Sequence, residues 1–286
     1  MDSHSERLFG VLGHPLGHSL SPAMHTAVFE HLRLPYKYGL FDIAGEFLPS
    51  FIASLRRGGI AGVNITIPYK ELVIPLLDSV HEDASALGAV NTIAIREGRL
   101  EGFNTDVEGI RAMLSPAAEK IAGASALVLG AGGAARALVY TLARNFAAKS
   151  IRVFNRSSEK GNRLVADFQK KFPKGDFQAL GERSDLAKVV AQSSLIVNAT
   201  SVGMSPKDDA SPLPDEIRFS NHQIIVDIVY NPVETVLLGR AKRDGAQTIG
   251  GVEMFVHQGA GAFALWTGRE FPLDVARKAV LNGLKQ

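Results

Sequence analysis

Four short stretches in the first half of this 286-residue sequence concentrate side chains that could do chemistry. They are Ser19-Leu20-Ser21-Pro22, Asn64-Ile65-Thr66-Ile67-Pro68-Tyr69-Lys70, Gly88-Ala89-Val90-Asn91-Thr92 and Gly102-Phe103-Asn104-Thr105-Asp106. None has an obvious packing purpose. Each sets hydroxyl, amide or charged groups at a strand end or helix start, where α/β proteins build their sites. Ser, Thr, Asn, Lys and Asp together are the set needed to hold a polyhydroxylated carboxylate and move one proton. Taken singly they have ordinary readings: a lysine is usually solvated, Asp106 suits a helix cap, and Ser21-Pro22 suits a cap followed by the first helical residue.

A second kind of chemistry is written further on, in Ala126-Leu-Val-Leu-Gly130-Ala131-Gly132-Gly133-Ala134-Ala135-Arg136. This is strand, G-x-G-x-x-A, then helix. Gly130 permits the tight turn, Gly132 lets the backbone approach a pyrophosphate, and Ala135 permits close helix–sheet packing. The helix start offers free N–H groups and partial positive charge to phosphates. Such a motif is weak alone; the strand before it and the Ala-rich helix after it supply the context that gives it meaning. Without a ligand it would be a glycine-rich turn.

The next strand ends Ile151-Arg152-Val153-Phe154-Asn155-Arg156-Ser157. An NAD site usually has Asp or Glu there for the ribose 2′-hydroxyl. Here that acid is missing. Arg156 can stack on adenine and pair with a 2′-phosphate, and Asn155 and Ser157 can donate hydrogen bonds to it. The composition of this turn favours NADP, the alternative being an Arg156 that merely faces solvent.

Taken together, these motifs resemble the shikimate dehydrogenase family over nearly the whole chain. The resemblance runs from Gly10-Val-Leu-Gly-His-Pro15 through Asn198-Ala-Thr-Ser-Val-Gly203, Asp227-Ile-Val-Tyr-Asn-Pro232 and Gly250-Gly251-Val-Glu-Met254 to Gln258 and Leu265-Trp266-Thr-Gly268. It implies an NADP-dependent oxidoreductase acting on a CH–OH group, in the part of aromatic amino-acid biosynthesis that leads to chorismate. It further implies that Lys70 is the catalytic lysine and Asp106 the aspartate beside it. By the same resemblance Ser19, Ser21, Thr66, Asn91 and Gln258 bind the substrate's carboxylate and hydroxyls. Gly130, Ala131, Gly132, Gly133 and Ala134 hold the dinucleotide, Asn155, Arg156 and Ser157 receive its 2′-phosphate, and Thr200, Ile228, Tyr230 and Gly251 line the nicotinamide side. One departure is visible: Tyr69 stands where the family often has His.

Reduction of a ketone by hydride leaves an alkoxide that must be protonated as it forms. A lysine ammonium beside a carboxylate can supply that proton and be restored by solvent, help typically worth ~10² to 10⁴ in rate. With that chemistry, the family resemblance implies reversible, NADPH-dependent reduction of 3-dehydroshikimate to shikimate. A quinate/shikimate dehydrogenase using NAD or NADP is the alternative within the class. A non-catalytic NADP-binding sensor on the same fold is the alternative outside it, although such a protein has no need of Lys70 and Asp106.

The elements that must position these residues alternate between strand and helix, which predicts an α/β chain with largely parallel sheets. In the first half the pattern predicts strands at Leu8–Leu12, Lys37–Phe41, Gly62–Ile65, Thr92–Ile95 and Leu100–Phe103. Helices are expected from Ser21, with Ser21 as cap, over Glu46–Arg57 up to Gly58-Gly59, and over Tyr69–Leu77 with an interruption at Pro75. The second half predicts strands at Ala126–Leu129, Ile151–Phe154, Phe177–Leu180, Leu195–Asn198, Ile224–Ile228 and Thr248–Ile249, then helices over Val252–Thr267 and Pro272–Leu284. Two domains follow: a discontinuous α/β substrate domain of residues 1–106 plus 252–286, and a Rossmann-type doubly wound dinucleotide domain of residues 107–251. The family resemblance is what returns the last helices to the first domain, and only that return brings Gln258 to the substrate.

Charge and composition narrow the partners. The formal net charge is +2 with Lys and Arg dispersed, so a nucleic-acid groove is not indicated. Cysteine is absent, which excludes disulfides, thiolate catalysis and Cys-ligated metal centres. His14, His18 and His25 lie close in sequence without a matching set of acids, so they read as structural or rim residues and no metal is expected. Met24, Met254 and Phe255 read as packing or cofactor-wall residues and Trp266 as core. The Leu8–Leu12 run is too short for a signal-peptide core, and no run reaches the roughly 20 apolar residues of a membrane span. The expectation is a cytoplasmic monomer or homodimer with a small-molecule substrate and no membrane partner.

Overall fold

Short apolar runs become strands, and the amphipathic stretches between them become the helices that cover those strands. The computed structural model describes residues 5–17, 19–181 and 186–285. The chain forms two compact units, Met1–Gly109 with Val256–Gln286, and Ile110–Phe255. Both divisions fall inside helices, a few residues beyond the 106/107 and 251/252 expected, because each helix runs unbroken through its boundary.

In chain order the first unit holds β1 (Arg7–Gly13), α1 (Ser21–His31), β2 (Tyr36–Asp42), α2 (Leu48–Ser54), β3 (Ile60–Ile65), β4 (Ser79–Val80), α3 (Glu82–Leu87), β5 (Thr92–Arg96) and β6 (Arg99–Phe103). Helix α4 (Asp106–Leu114) crosses into the second unit. There follow α5 (Ala118–Ile121), β7 (Ser125–Leu129), α6 (Gly133–Asn145), β8 (Ser150–Phe154), α7 (Ser158–Lys171), β9 (Phe177–Ala179), α8 (Leu186–Gln192), β10 (Leu195–Asn198), β11 (Ile224–Asp227), α9 (Val236–Arg243) and β12 (Gln247–Ile249). Helix α10 (Val252–Thr267) crosses back, and α11 (Leu273–Gly283) ends the first unit.

The first sheet has the order β2-β1-β3-β5-β6-β4. Strand β1 is parallel to β2 and β3, but β5 is antiparallel to both β3 and β6. The departure from an all-parallel pattern has a local cause. Glu97 and Gly98 take φ of +52° and +75°, the left-handed pair of a two-residue hairpin, and Arg96 pairs with Arg99 across it. Helix α10 is anchored to this sheet by Trp266, whose Nε1 donates to the Ile93 carbonyl at 3.0 Å and whose ring stacks on Phe9 at 5.0 Å. A Cβ on Gly62 would lie 2.3 Å from Trp266 Nε1, so β3 accepts the indole only as glycine.

Three local expectations change. Tyr69–Leu77 is a series of turns closed by a 3₁₀ segment, Ile74–Leu76, because Pro75 lacks the N–H that a continuing helix needs. The Glu46–Arg57 run splits into 3₁₀, α2 and 3₁₀ pieces before Gly58 at φ +88°. Ser21 is the first residue of α1 rather than its cap; Ser19 Oγ accepts the Ser21 N–H at 3.3 Å instead.

The second sheet is parallel throughout, in the order β12-β11-β10-β7-β8-β9. Counting from β7, this is the doubly wound order, and it reverses between β7 and β10. Its central strands are buried along their length, as strands covered on both faces must be. Among the described residues no helix is long and apolar enough to cross a membrane.

Candidate active site

The first unit gathers its polar motifs around one carboxylate. Asp106 opens α4, where a negative charge suits the helix N-terminus. Its Oδ2 lies 2.6 Å from Lys70 Nζ, and its Oδ1 accepts from Asn91 Nδ2 at 2.8 Å. Lys70 arrives from the turn after β3, where its carbonyl accepts the Val90 N–H at 2.8 Å. The lysine side chain is 19% exposed and the aspartate 7%. The ammonium thus keeps a path to solvent while the carboxylate that orients it is buried.

Asn91 is fixed from both ends. Its Nδ2 also lies 3.1 Å from Thr105 Oγ1, and its Oδ1 accepts the Thr105 N–H at 2.7 Å and the Thr92 hydroxyl at 3.0 Å. Asn64 extends the network: its Nδ2 reaches Thr92 Oγ1 at 3.1 Å, and its Oδ1 accepts the Tyr38 hydroxyl at 2.7 Å. Asn104 holds the other side, donating to the Ala89 carbonyl at 2.9 Å and accepting the Asp106 N–H at 3.1 Å. Tyr38, Asn64, Thr92, Asn104 and Thr105 are therefore structural members of this site. Asn64, Thr92, Asn104 and Thr105 stand inside motifs visible in the sequence; Tyr38, on β2, had no such signal.

The other expected residues of the first unit lie just past β3, between β1 and the first turn of α1, and on α10. Thr66 follows β3, its N–H bonded to the Leu12 carbonyl at 2.9 Å. Its Cγ2 would lie 2.5 Å from a Cβ on Gly13, so these segments meet closely. Ser19 comes from the loop after β1 and Ser21 from the first turn of α1; the loop is tied down where His14 Nδ1 meets Asp42 Oδ1 at 2.6 Å and the Leu16 N–H meets Asp42 Oδ2 at 3.2 Å. These bonds hold the Asp42 carboxyl below the usual carboxylate range. Gln258 is half-buried on α10, three residues before Gly261. A Cβ on Gly261 would come within 3.1 Å of the Thr105 side chain, so α10 lies close against the segment carrying Asp106. Tyr69 is buried and its hydroxyl donates to the Ile43 carbonyl at 2.5 Å. His25 is buried with neither ring nitrogen bonded among the described residues, and it stacks on Tyr38 at 4.4 Å. His18 lies outside the described residues, among which no cluster of His, Asp and Glu could hold a metal ion.

The second unit brings its own residues to the C-terminal ends of its strands. Gly130 takes φ +114°, and a Cβ there would strike the Ala199 carbonyl at 2.9 Å, at the point where strand order reverses. Gly132 caps α6 in extended backbone, and no described residue comes within 4 Å of a Cβ position there. Gly133 and Ala134 are half-buried behind it, as is Ala131 before it. This open helix start, free of side chains, is the cradle a pyrophosphate needs, so the residues fit a dinucleotide.

Beyond β8, Arg156 is exposed and pairs with no carboxylate among the described residues. Ser157 caps α7 by accepting the Lys160 N–H at 3.4 Å, and Asn155 Nδ2 donates to the Ser157 carbonyl at 2.9 Å. After β10, Thr200 bonds Asn198 Oδ1 through its N–H at 3.0 Å and its hydroxyl at 2.7 Å. After β11, Ile228 and Tyr230 are half-buried, and Tyr230 stacks on Phe255 at 4.2 Å. Gly251 is held so close that a Cβ would lie 2.2 Å from the Ile228 carbonyl.

Comparison with known proteins agrees along the chain. Residues 11–93 match the shikimate dehydrogenase substrate binding domain, residues 113–232 the shikimate / quinate 5-dehydrogenase model, and residues 251–281 the shikimate 5′-dehydrogenase C-terminal domain. A shikimate dehydrogenase (NADP(+)) of Methanopyrus kandleri is 42% identical over 278 residues, 96% of this chain and 95% of the relative. The crystal structure of shikimate 5-dehydrogenase from Thermus thermophilus in complex with NADP(H) and shikimate is 39% identical, covers 97% of this chain and 99% of its own, and has a TM-score of 0.85. Quinate dehydrogenase from Corynebacterium glutamicum in complex with NAD is 30% identical, covers 97% and 100%, and has a TM-score of 0.89. With three models of one family matched in order and relatives alike along their whole length, the chain belongs to the shikimate dehydrogenase family.

Proposed function

We propose that the chain catalyses the reversible NADPH-dependent reduction of 3-dehydroshikimate to shikimate, in the cytoplasm, as a monomer or homodimer. The observation that carries the reading is the part-buried Lys70–Asp106 pair, with Asn91 on the opposite carboxylate oxygen. NADPH, when bound, supplies the hydride. Lys70 gives its proton to the ketone oxygen as the alkoxide forms, and recovers it from solvent through its exposed face. Asp106 orients the ammonium, and Asn91 orients Asp106. Ser19, Ser21, Thr66, Asn91 and Gln258 hold the carboxylate and hydroxyls of the ring. The first unit thus carries the substrate residues and the second the cofactor residues.

In the second unit Gly130, Ala131, Gly132, Gly133 and Ala134 present backbone to the pyrophosphate. Asn155, Arg156 and Ser157 take the 2′-phosphate, and Thr200, Ile228, Tyr230 and Gly251 line the nicotinamide side. The Corynebacterium neighbour keeps a quinate-accepting reading in play, since quinate differs only by one added hydroxyl and a saturated ring. A steady-state assay of shikimate and quinate, each with NADP and NAD, tests both. Turnover highest with shikimate and NADP supports the proposal. Equal or better turnover with quinate, or with NAD, replaces it by the alternative.

A further inference from the structure

Asp227 ends β11 with its side chain wholly buried and, among the described residues, no cation paired with it. Three neutral donors from three segments fill its oxygens. Oδ1 accepts Asn198 Nδ2 at 2.9 Å and the Val229 N–H at 3.0 Å, and Oδ2 accepts the Thr235 hydroxyl at 2.7 Å. A carboxylate can only accept, so Asn198 must turn its amide nitrogen toward Asp227 and its oxygen away. That oxygen is the one on which Thr200 rests through both its N–H and its hydroxyl. The hydroxyl's proton being so committed, its lone pairs receive the Val202 N–H at 3.1 Å, while Asn198 Nδ2 also holds the Val202 carbonyl at 3.1 Å. One buried carboxylate therefore sets the direction of the side-chain bonds that Asn198 and Thr200 make in the turn after β10. It also closes the turn at Ile228–Val229 that leads to Tyr230.

We infer that Asp227 is a positioning residue for the cofactor: through Asn198 it fixes Thr200, and through Val229 it fixes the Ile228–Tyr230 turn, in the arrangement that receives the nicotinamide half of NADP. The inference rests on the proposed function, in which Thr200, Ile228 and Tyr230 line that half. Burial pushes the Asp227 acid up to about 6, while its bonds from Thr235, Val229 and Asn198 favour the charged form. Thr235 has a separate duty as the cap of α9, accepting the Leu238 N–H at 3.3 Å, so the Oδ2 branch serves the helix while the Oδ1 branch serves the turns.

The test is the affinity for NADPH, read by fluorescence titration of the intact protein, beside its thermal midpoint and its KM for shikimate. Asp227→Asn keeps an oxygen for Asn198 and Val229 and can turn its amide toward Thr235 Oγ1, so its NADPH affinity should stay within threefold of wild type. Asp227→Ala frees Asn198 to flip and should weaken NADPH at least tenfold. Asn198→Ala removes the Thr200 acceptor while leaving Asp227 two donors, and should do the same. It decides the matter if Asp227→Ala does not fold. The KM for shikimate should move less than twofold in all three. Soluble Asp227→Ala or Asn198→Ala proteins that melt earlier but bind NADPH within twofold of wild type would make the role merely structural and overturn the inference. Thr200→Ala separates the two levels. If it weakens NADPH while the other variants do not, only the positioning idea fails. If it leaves NADPH binding unchanged, the cofactor reading of Thr200 fails and takes the inference with it.

Discussion

Lys70 and Asp106 stand 36 residues apart in sequence and 2.6 Å apart in space, joined at Nζ and Oδ2. Neither residue is held by this contact alone. The lysine's backbone is pinned at its carbonyl by Val90, and the carboxylate is gripped at its other oxygen by Asn91. The pair is a fixed geometry built before any substrate arrives, which is what general acid–base help requires.

Lys70→Ala should therefore fold and bind NADPH normally but lose turnover with 3-dehydroshikimate by about 10² or more. Asp106→Asn should also cripple turnover, because its one oxygen can accept from only one of Lys70 and Asn91 and its amide then faces the other donor. Steady-state kcat beside an NADPH titration checks both; near-normal kcat in Lys70→Ala would remove Lys70 from the chemistry.

Tyr69 gives a sharper view of how that lysine is placed. Its hydroxyl reaches back to Ile43, beyond the end of β2, and so ties the turn carrying Lys70 to a different strand connection. Tyr69→Phe keeps the buried ring and deletes the bond, leaving the Ile43 carbonyl without it. A loss of about 1 kcal/mol in stability is expected, the usual worth of one such bond. A kcat reduced several-fold with little change in NADPH affinity should accompany it. Urea unfolding and kinetics on the same preparation would show whether the two effects travel together.

How far the sequence reveals this site depends on the kind of signal each residue leaves. Lys70, Asn91 and Asp106 are legible because hydroxyls, amides and charges cluster at strand ends, and Gly130 and Gly132 because a backbone demand leaves a glycine. Most strands of both sheets are legible because they are short apolar runs, while the two-residue β4 leaves no such run. Tyr38 is silent, because a tyrosine in a strand looks like any packing aromatic, and its bond to Asn64 crosses 26 residues. The hairpin at Glu97-Gly98 hides in a left-handed conformation that glutamate seldom marks. The turns after Tyr69 mislead because their apolar spacing suits a helix, while the proline that prevents one sits in their midst.

His25 supplies a prediction about pH. It is wholly buried against Tyr38, and burial pushes its pKa down to about 3 from 6.5. The folded protein thus keeps it neutral where the unfolded chain would take a proton. Between about pH 6.5 and 3 the unfolded state binds more protons, so stability falls as pH falls through that window. His25→Phe keeps a ring on Tyr38 and abolishes the titration. It should shift the acid unfolding midpoint downward while changing little at pH 8. Asp227 acts in the opposite sense, its raised pKa costing stability as pH climbs from 3.8 through about 6, so the variant's curve must be compared with wild type point by point. An unchanged acid limb in His25→Phe would mean that other groups drive acid unfolding.

The last prediction concerns cofactor choice and follows from charge. NADP differs from NAD by a 2′-phosphate carrying nearly two negative charges, and Asn155-Arg156-Ser157 lies just past the end of β8. Arg156 is exposed and pairs with no carboxylate among the described residues, so its guanidinium can meet a phosphate through two parallel hydrogen bonds. Ser157 spends only a lone pair on capping α7, so its hydroxyl proton remains to give, and the helix start behind it favours an anion. Charged hydrogen bonds of this kind are worth roughly 1.5–3 kcal/mol each, or about one to two powers of ten in binding. Arg156→Ala should raise the KM for NADPH strongly and leave that for NADH almost unchanged. Ser157→Asp should fold without difficulty, since Asp caps a helix as well as Ser does. Its carboxylate would repel the phosphate and accept the free ribose hydroxyl, narrowing or reversing the preference. The measurement is kcat/KM with both cofactors in wild type and both variants. Equal losses with NADPH and NADH would put Arg156 outside the phosphate site, and a wild type that prefers NADH would overturn the cofactor assignment itself.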